Sequence, residues 1–153
     1  MMASTIEMKK LSSKNIVSPK GFTAAGVHCG IKHKKKDLAV LISEVPASVA
    51  GVFTTNAVQA APIKVTKEVV YNTKKMQAII VNSGNANACT GKQGLADAYE
   101  MQQLAADKLG VDANLIGVAS TGVIGEIMKM EPIKKGVGML KPDSKLESGI
   151  DFA

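Results

Sequence analysis

The hydrophobic pattern near the start of the chain predicts short strands joined by close connections. Residues Gly21 to Gly30 are small and mostly apolar, with glycines that suit a strand lying against another backbone. Asp37 to Val45 is continuously apolar at its centre, which is typical of a buried strand, and Pro46 ends it. Ser48 to Thr54 then begins a third strand. Together the three segments predict an antiparallel meander.

The middle of the chain alternates between apolar runs and helical periodicity. Gln77 to Val81 predicts a strand that leads into the polar loop Asn82 to Gly91. Leu95 to Leu109 carries apolar residues at helical spacing, and Gly110 follows where a C-terminal cap glycine belongs. Leu115 to Ala119 predicts a further strand, which runs into a small polar turn.

Two weaker helix signals complete the prediction of a single α/β domain. Thr66 can cap a short helix through about Tyr71, and a second helix can begin near Pro132. From Lys141 onward the sequence is polar and predicts no element. We therefore expect an N-terminal segment over residues 1–18, an α/β domain over residues 19–140, and a tail over residues 141–153.

The charge pattern argues against a nucleic-acid-binding protein. The net charge is +6, and all 19 cationic residues are Lys, although Arg is the residue that recognises phosphates and guanine edges best. Aromatic residues, which would stack on bases, make up only 3% of the chain. The basic run from Lys32 to Lys36 is therefore interpreted as a solvated hairpin connection, with a polyanion site as the alternative.

The sequence also predicts a cytoplasmic protein with no membrane partner. Met1 to Leu11 lacks the apolar run of a secretory signal, and no stretch approaches the roughly 18 apolar residues that span a bilayer. Two cysteines, Cys29 and Cys89, lie far apart without metal-ligand spacing, so we expect a reducing compartment and no metal.

One segment has the composition of an anion-stabilising site. Ser120-Thr121-Gly122 follows a predicted strand, and Thr121 offers a hydroxyl while Gly122 offers an unshielded amide. An ordinary turn explains the same residues, because Ser, Thr and Gly are common in turns. The loop Asn82 to Gly91 has similar chemistry, but its glycine spacing does not match a phosphate-binding loop.

The conventional nucleophiles and bases are scarce. Neither His28 nor His33 has a Ser or Cys in a recognisable catalytic arrangement. Cys29 is interpreted as a core residue, and Cys89 as a small residue that fills a loop rather than a nucleophile. From the residues alone, the chain has one plausible anion-stabilising turn and no nucleophile.

Four sequence blocks resemble one enzyme family. GFTAAGVHCGIK, VFTTNAVQAAP, VNSGNANACTGKQG and ASTGVIGE occur here in the order and approximate spacing of the ornithine acetyltransferase (glutamate N-acetyltransferase) family. The resemblance extends from about Pro19 to Gly136 and is most specific in the third and fourth blocks. It implies a layered α/β sandwich related to the N-terminal-nucleophile-like aminopeptidases, with a mixed, largely antiparallel sheet and flanking helices.

The resemblance also implies an activity and a division of the site. Family members transfer acetyl from N2-acetylornithine to glutamate through an acetyl-threonine, and some accept acetyl-CoA as donor; no cofactor is implied. The threonine starts a second, β chain that self-cleavage releases, and two α and two β chains form a heterotetramer. A Thr-Gly pair forms the oxyanion hole, and it aligns with Thr121 and Gly122. The nucleophile and most substrate-binding residues are expected beyond Ala153.

The chain departs from the family pattern in two places. Ile127 to Met130 stands where members commonly have Leu-Pro-Met, and the chain reaches Ala153 without the cleavage motif, so we expect a truncation before the self-cleavage site. The isolated chain is accordingly expected to be inactive. Two alternatives stay open: an aminopeptidase-like amidohydrolase on the same fold, and a non-catalytic fragment.

Overall fold

The computed structural model describes residues 14–153 as one mixed sheet with flanking helices. The elements, in chain order, are β1 (Phe22–Val27), β2 (Leu38–Ser48), α1 (Ala61–Thr73), β3 (Lys75–Asn85), α2 (Gly91–Leu109), a 3-10 turn (Ala113–Leu115), β4 (Ile116–Val123), α3 (Met130–Met139) and α4 (Leu146–Phe152). Most of the predicted N-terminal segment 1–18 lies outside the described residues. No helix within residues 14–153 combines the length and apolar character that crossing a membrane requires.

The sheet has the order β1-β2-β3-β4 and confirms the predicted α/β class. β1 pairs antiparallel with β2, and β2 pairs antiparallel with β3, while β3 and β4 are parallel. The predicted third strand of the meander, Ser48 to Thr54, is wrong, because β2 continues to Ser48 and residues 49–60 are irregular. A register shift between Ile42 and Ala47 lets β2 pass Pro46, which has no N–H for the ladder.

One face of the sheet is sealed by α1, α2 and α3. Val40, Ile80 and Val118 lie side by side on this face and are almost fully buried. Met101 from α2 and Ile133 from α3 pack in the same core cluster. Alternation along each strand directs every second side chain to this face, so the apolar core cluster forms here.

Helix α2 confirms the strongest local prediction. It begins at Gly91, four residues before the predicted start, and ends at Leu109. Gly110 adopts a left-handed conformation with φ 66° and donates its N–H to Ala106 O, as a C-terminal cap glycine should.

Helix α1 shows that Thr66 does not cap a helix. α1 begins at Ala61 with Pro62 in its first turn, so Thr66 lies well inside it. The Thr66 hydroxyl donates to Val118 O at 2.7 Å and accepts the Val118 N–H at 2.8 Å. Because β4 is an edge strand, this side chain satisfies backbone groups that a neighbouring strand would otherwise bond.

The segment from Lys141 is not the uncommitted tail that its polarity predicts. Asp143 forms an antiparallel bridge with Ala24, and α4 then packs against β1 on the sheet face opposite the core. A Cβ at Gly26 would collide with the carbonyl of Asp151, so this close approach requires glycine. The packing of α4 on the sheet, rather than any local periodicity, accounts for its structure.

Candidate functional site

The predicted turn at Ser120-Thr121-Gly122 is part of strand β4. β4 extends to Val123, and β3 extends to Asn85, which lies inside the predicted loop. The two strands stay paired to their ends, with Ser83 beside Thr121 and Gly84 beside Gly122. Because β4 pairs with β3 here, the backbone groups that face β3 are hydrogen-bonded without a turn. These residues therefore remain part of the strand. The two small polar segments therefore meet at one edge of the sheet.

Gly84 and Gly122 bring the two backbones into unusually close contact. Their φ angles are 108° and 134°, a region that residues with a Cβ rarely adopt. A Cβ at Gly122 would lie 2.3 Å from the carbonyl carbon of Gly84 and 2.5 Å from the Asn85 nitrogen. The close contact between the two glycines therefore fixes the direction that the chain takes after β4.

Strand alternation separates the roles of Thr121 and Gly122. The N–H and carbonyl of Val118 point away from β3, toward Thr66, whereas the Val123 carbonyl points toward β3 and accepts from Ala86 N–H at 2.8 Å. By the same alternation the Thr121 amide points toward β3 and the Gly122 amide points away from it. Thr121 can therefore offer its exposed hydroxyl, and Gly122 its exposed N–H.

The connection between β1 and β2 is held by a single buried carboxylate. Asp37 is 2% exposed, and its side chain accepts the N–H groups of Cys29 at 2.6 Å, Gly30 at 3.2 Å and Lys32 at 2.8 Å. His28 Nδ1 lies 3.1 Å from the same carboxylate. Burial alone would raise the pKa of Asp37, but the backbone N–H donors outweigh it and hold this pKa below its usual value.

This connection lies directly over Gly84. A Cβ at Gly84 would come within 2.9 Å of Ile31 Cγ2 and 3.0 Å of Lys32 Cγ. The backbone of Asp37 is also tied to β3, because its carbonyl accepts the Ser83 N–H at 2.8 Å. The end of β3 therefore lies between β4 on one side and the β1–β2 connection on the other.

A cleft of about 200 Å³ opens beside Thr121 on the sheet face opposite the core. Its polar lining consists of Lys32, Lys36, Asp37, Ser83, Thr121 and Asp151. Lys36 forms an ion pair with Asp151 of α4. The cleft thus combines two hydroxyl-bearing residues with two lysines and two aspartates, so these charged side chains balance one another.

The asparagines of the predicted loop have structural roles. Asn87 is 1% exposed; it donates to Gly94 O at 2.6 Å and accepts the Thr90 hydroxyl at 2.6 Å. Asn85 donates to the carbonyl of Glu126 at 3.2 Å, which ties the end of β3 to the segment after β4. These bonds favour the structural interpretation of the loop over a ligand site.

The histidines and cysteines form no nucleophilic arrangement among the described residues. Burial and the neighbouring Asp37 raise the pKa of Cys29 to about 12, and Cys29 packs against the core as predicted. Cys89 is exposed with φ 59° and lines a different cleft at the start of α2, consistent with a loop residue. Within residues 14–153 there is no cluster of three or more potential metal ligands.

The sequence alone does not distinguish Asp37, Lys32 or Gly84 as site residues. Asp37 carries one usable signal, because it is a carboxylate that directly follows a basic run and begins an apolar strand. Nothing in the sequence distinguishes Lys32 from the other lysines of that run, since its position depends on how the connection folds over Gly84.

Comparison with known proteins identifies the family. The model of the ArgJ family matches residues 23–151. The chain is 53% identical over its full length to the arginine biosynthesis bifunctional protein ArgJ of Bacillus thuringiensis subsp. konkukian, of which it covers 38%. It is 56% identical to the Staphylococcus epidermidis protein of the same name, over 91% of this chain and 34% of that protein.

Solved structures agree with the sequence comparison. The crystal structure of the arginine biosynthesis bifunctional protein ArgJ from Bacillus halodurans superposes with a TM-score of 0.91 at 49% identity, covering 94% of this chain and 75% of that one. The ornithine acetyltransferase from Mycobacterium tuberculosis, solved in complex with ornithine, gives 0.88 at 38% identity and covers 94% and 78%. This chain spans well under half the length of the curated relatives it matches. On the family match and these identities, the chain belongs to the ArgJ family.

Proposed function

We propose that the full-length protein containing this chain transfers an acetyl group from N2-acetylornithine to glutamate in arginine biosynthesis. Its relatives are named arginine biosynthesis bifunctional proteins, and a solved relative is an ornithine acetyltransferase bound to ornithine. This chain contributes Thr121 and Gly122 as the oxyanion hole, while the nucleophilic threonine lies in the remainder of the protein. Acetyl-CoA as a second acetyl donor belongs to the same proposal.

The reaction needs two stabilised oxyanions. In the first half, the threonine Oγ attacks the acetyl carbonyl and gives its proton to a base, for which the free α-amine of that threonine suffices. Collapse of the tetrahedral intermediate breaks the C–N bond, and ornithine leaves after its nitrogen takes up a proton. In the second half, the glutamate amine attacks the acetyl ester, forming N-acetylglutamate and restoring the threonine hydroxyl. Each tetrahedral intermediate carries its negative charge on the former carbonyl oxygen.

The observation that carries the proposal is that two different hydrogen-bond donors lie next to each other at the end of β4. The Thr121 hydroxyl and the Gly122 N–H are both exposed, and strand alternation frees the Gly122 amide from β3. The contact with Gly84 fixes this amide before substrate arrives, so little reorganisation is needed when charge develops. A preset donor of this kind typically lowers the barrier by about 3 kcal/mol.

The assembly is also part of the proposal. The matched relatives are longer than this chain, which supports a precursor that supplies a second, β chain. The open sheet face beside α4 carries Phe22, Leu41 and Ile79 around an apolar depression, a surface that further chain can cover. We expect an α2β2 heterotetramer, and no acetyl transfer by the 153-residue chain alone.

The test is an acetyl-transfer assay with the full-length protein. N2-acetylornithine and acetyl-CoA are supplied separately with glutamate, and N-acetylglutamate and free acetate are both quantified. We expect N-acetylglutamate from acetylornithine, and a mass increase of one acetyl group on a threonine when glutamate is omitted. Release of acetate at the same rate with or without glutamate would instead indicate the amidohydrolase alternative. Turnover by the isolated chain would contradict the assignment of the nucleophile to the remainder of the protein.

A further inference from the structure

Two polar side chains lie on the helix-covered face of the sheet, beneath the proposed oxyanion hole. Ser120 on β4 and Asn82 on β3 are register partners. Each follows a core residue by two positions, Val118 on β4 and Ile80 on β3, so strand alternation directs both side chains to the core face. Asn82 is 0% exposed, and the hydroxyl oxygen of Ser120 is also buried. The two polar groups therefore lie side by side under the helices.

Neither group has a hydrogen-bond partner within residues 14–153. The unpartnered atoms are Asn82 Oδ1 and Ser120 Oγ. The other end of the Asn82 amide is held, because Nδ2 donates to Asn85 O at 2.8 Å and so turns Oδ1 away from that carbonyl. A hydroxyl can donate and an amide oxygen can accept, so the two unpartnered atoms are chemically complementary. Buried polar groups are almost always hydrogen-bonded, to protein or to ordered water.

The spacing of the strands matches a single water shared by the two groups. Paired strands lie about 4.8 Å apart, and Ser120 and Asn82 do not bond each other directly. A water with two O–H···O bonds of about 2.8 Å spans about 4.5–5 Å between its partners. It would accept the Ser120 O–H and donate to Asn82 Oδ1. Its second hydrogen is left for another acceptor, and Asn85 Oδ1 is a third buried oxygen without a partner in the described chain.

The pair adjoins both proposed oxyanion donors. Ser120 directly precedes Thr121 near the end of β4, which is an edge strand. Asn82 holds the carbonyl of Asn85, and a Cβ on Gly122 would lie 2.5 Å from the nitrogen of that same asparagine. A bridge between β3 and β4 at this level would therefore limit how far the end of β4 moves relative to β3.

We propose that Ser120 and Asn82 are positioning residues that hold the Thr121 and Gly122 donors in place through one shared buried water; this inference rests on the proposed acetyl transfer. The two side chains lie on the helix-covered face, opposite the cleft beside Thr121, so they act through the strand ends and not on the substrate. A misplacement of about 1 Å at a reacting centre can cost about 100-fold in rate. Even a slight loosening of β4 should therefore lower kcat.

The experiment compares Ser120→Ala, Ser120→Cys and Val118→Ala in the full-length enzyme. Alanine removes the hydroxyl, whereas cysteine fills the space of serine but donates a hydrogen bond only weakly. Val118 lies two positions earlier on the same face and is 3% exposed, so its truncation tests packing without a polar group. N-acetylglutamate formation from N2-acetylornithine gives kcat and KM, and urea denaturation gives the unfolding equilibrium constant.

We expect Ser120→Ala and Ser120→Cys to lower kcat by about 10-fold with KM little changed, because the oxyanion exists only after the substrate has been attacked. Val118→Ala should raise the unfolding equilibrium constant by about 10-fold or more through its cavity, yet keep kcat within about two-fold of normal. In an Asn82→Leu enzyme the shared water has already lost its acceptor. Adding Ser120→Ala to that enzyme should therefore change neither kcat nor stability much further.

A crystal structure of the unsubstituted full-length enzyme tests the bridge itself. We expect one ordered water within about 3 Å of both Ser120 Oγ and Asn82 Oδ1. A Ser120 hydroxyl that bonds only another protein atom would exclude the shared water, and this observation decides even if the substituted enzymes do not fold.

The kinetic outcomes can also overturn the inference. Normal kcat in Ser120→Ala contradicts the positioning role, and normal kcat in Ser120→Cys alone would assign the position to packing. Fully additive losses for Ser120→Ala and Asn82→Leu would show that the two residues share no partner. Absence of any acetyl transfer by the unsubstituted enzyme would overturn the proposed function itself, whereas normal transfer with unaffected kcat in Ser120→Ala overturns only this inference.

Discussion

The two faces of the sheet are built from alternate residues of the same strands, yet they differ in how far helices cover them. On one face Ile80 and Val118 are buried under helices. On the other face, a few residues further along those strands, Ser83 and Thr121 line an open cleft with Lys32. Residues that stabilise the fold and residues that line the cleft can thus lie next to each other in one strand, because neighbouring residues of a strand point to opposite sides. Substitutions on the two faces should therefore have different consequences.

The largest effect is expected where the two strand ends touch. Gly122→Ala would place a Cβ 2.3 Å from the Gly84 carbonyl carbon and force the end of β4 to move. A displacement of about 1 Å would move the Gly122 N–H away from the oxyanion and should lower acetyl transfer by about 10³-fold. The measurement is kcat of the purified full-length variant relative to the unsubstituted enzyme.

Gly125→Ala provides the matched control for that variant. Gly125 also has a positive φ, 86°, but no atom lies within 4 Å of its would-be Cβ. Gly125→Ala should lower the free energy of unfolding by about 1–2 kcal/mol, because alanine is strained at a positive φ. Its kcat should stay within a few-fold of normal. Equal losses of kcat in the two variants would mean that backbone strain, rather than the contact with Gly84, controls activity.

A core substitution should give the reverse pattern. Ile80 is fully buried on the helix-covered face, so Ile80→Ala should lower the free energy of unfolding by about 3 kcal/mol through lost burial and a residual cavity. Acetyl transfer at a temperature where the variant is folded should be nearly normal. Urea denaturation and kcat measure the two effects, and Ile124→Ala, at a site 65% exposed, should change stability by less than about 0.5 kcal/mol. A large loss of kcat in folded Ile80→Ala would show that the faces are not independent.

A smaller effect is expected for the Asp37 carboxylate. Its pKa is lowered in the folded protein, so its contribution to stability is complete above the unfolded pKa of about 4 and is lost as the pH falls through the folded pKa. Asp37→Asn should lower stability at neutral pH by about 2 kcal/mol, because an amide accepts fewer N–H donors and carries no charge. It should also reduce the acid dependence of unfolding below about pH 4. Asp107→Asn, at an exposed helix position, should change neither quantity appreciably. An undiminished acid dependence in Asp37→Asn would contradict the assignment.

Features with local causes could be predicted from the sequence. Helix α2 and its cap Gly110 follow from apolar spacing and from the conformation that only glycine adopts easily. The α/β class and the strand positions of β1, β3 and β4 follow from apolar runs. The family resemblance is confirmed, while the roles of Thr121 and Gly122 that it implies stay predictions.

Features with distant causes could not be predicted. Ser120-Thr121-Gly122 has the composition of a turn, but pairing with β3 keeps it extended. Thr66 has the composition of a helix cap, but its hydroxyl bonds Val118, 52 residues away. Lys32 differs from Lys34 only because the connection folded by Asp37 places it over Gly84. In each case the deciding contact joins segments that no local pattern links.

The proposed oxyanion hole is tested most directly by kcat for acetyl transfer in Thr121→Ala and Thr121→Ser. The Thr121 amide points toward β3, so only the hydroxyl can serve the oxyanion, and Thr121→Ala should lower kcat by about 10²–10³-fold with little change in KM. Thr121→Ser keeps the hydroxyl and should retain most of the activity. A folded, processed Thr121→Ala enzyme with normal kcat would contradict the role of the Thr121 hydroxyl and leave Gly122 without its proposed partner.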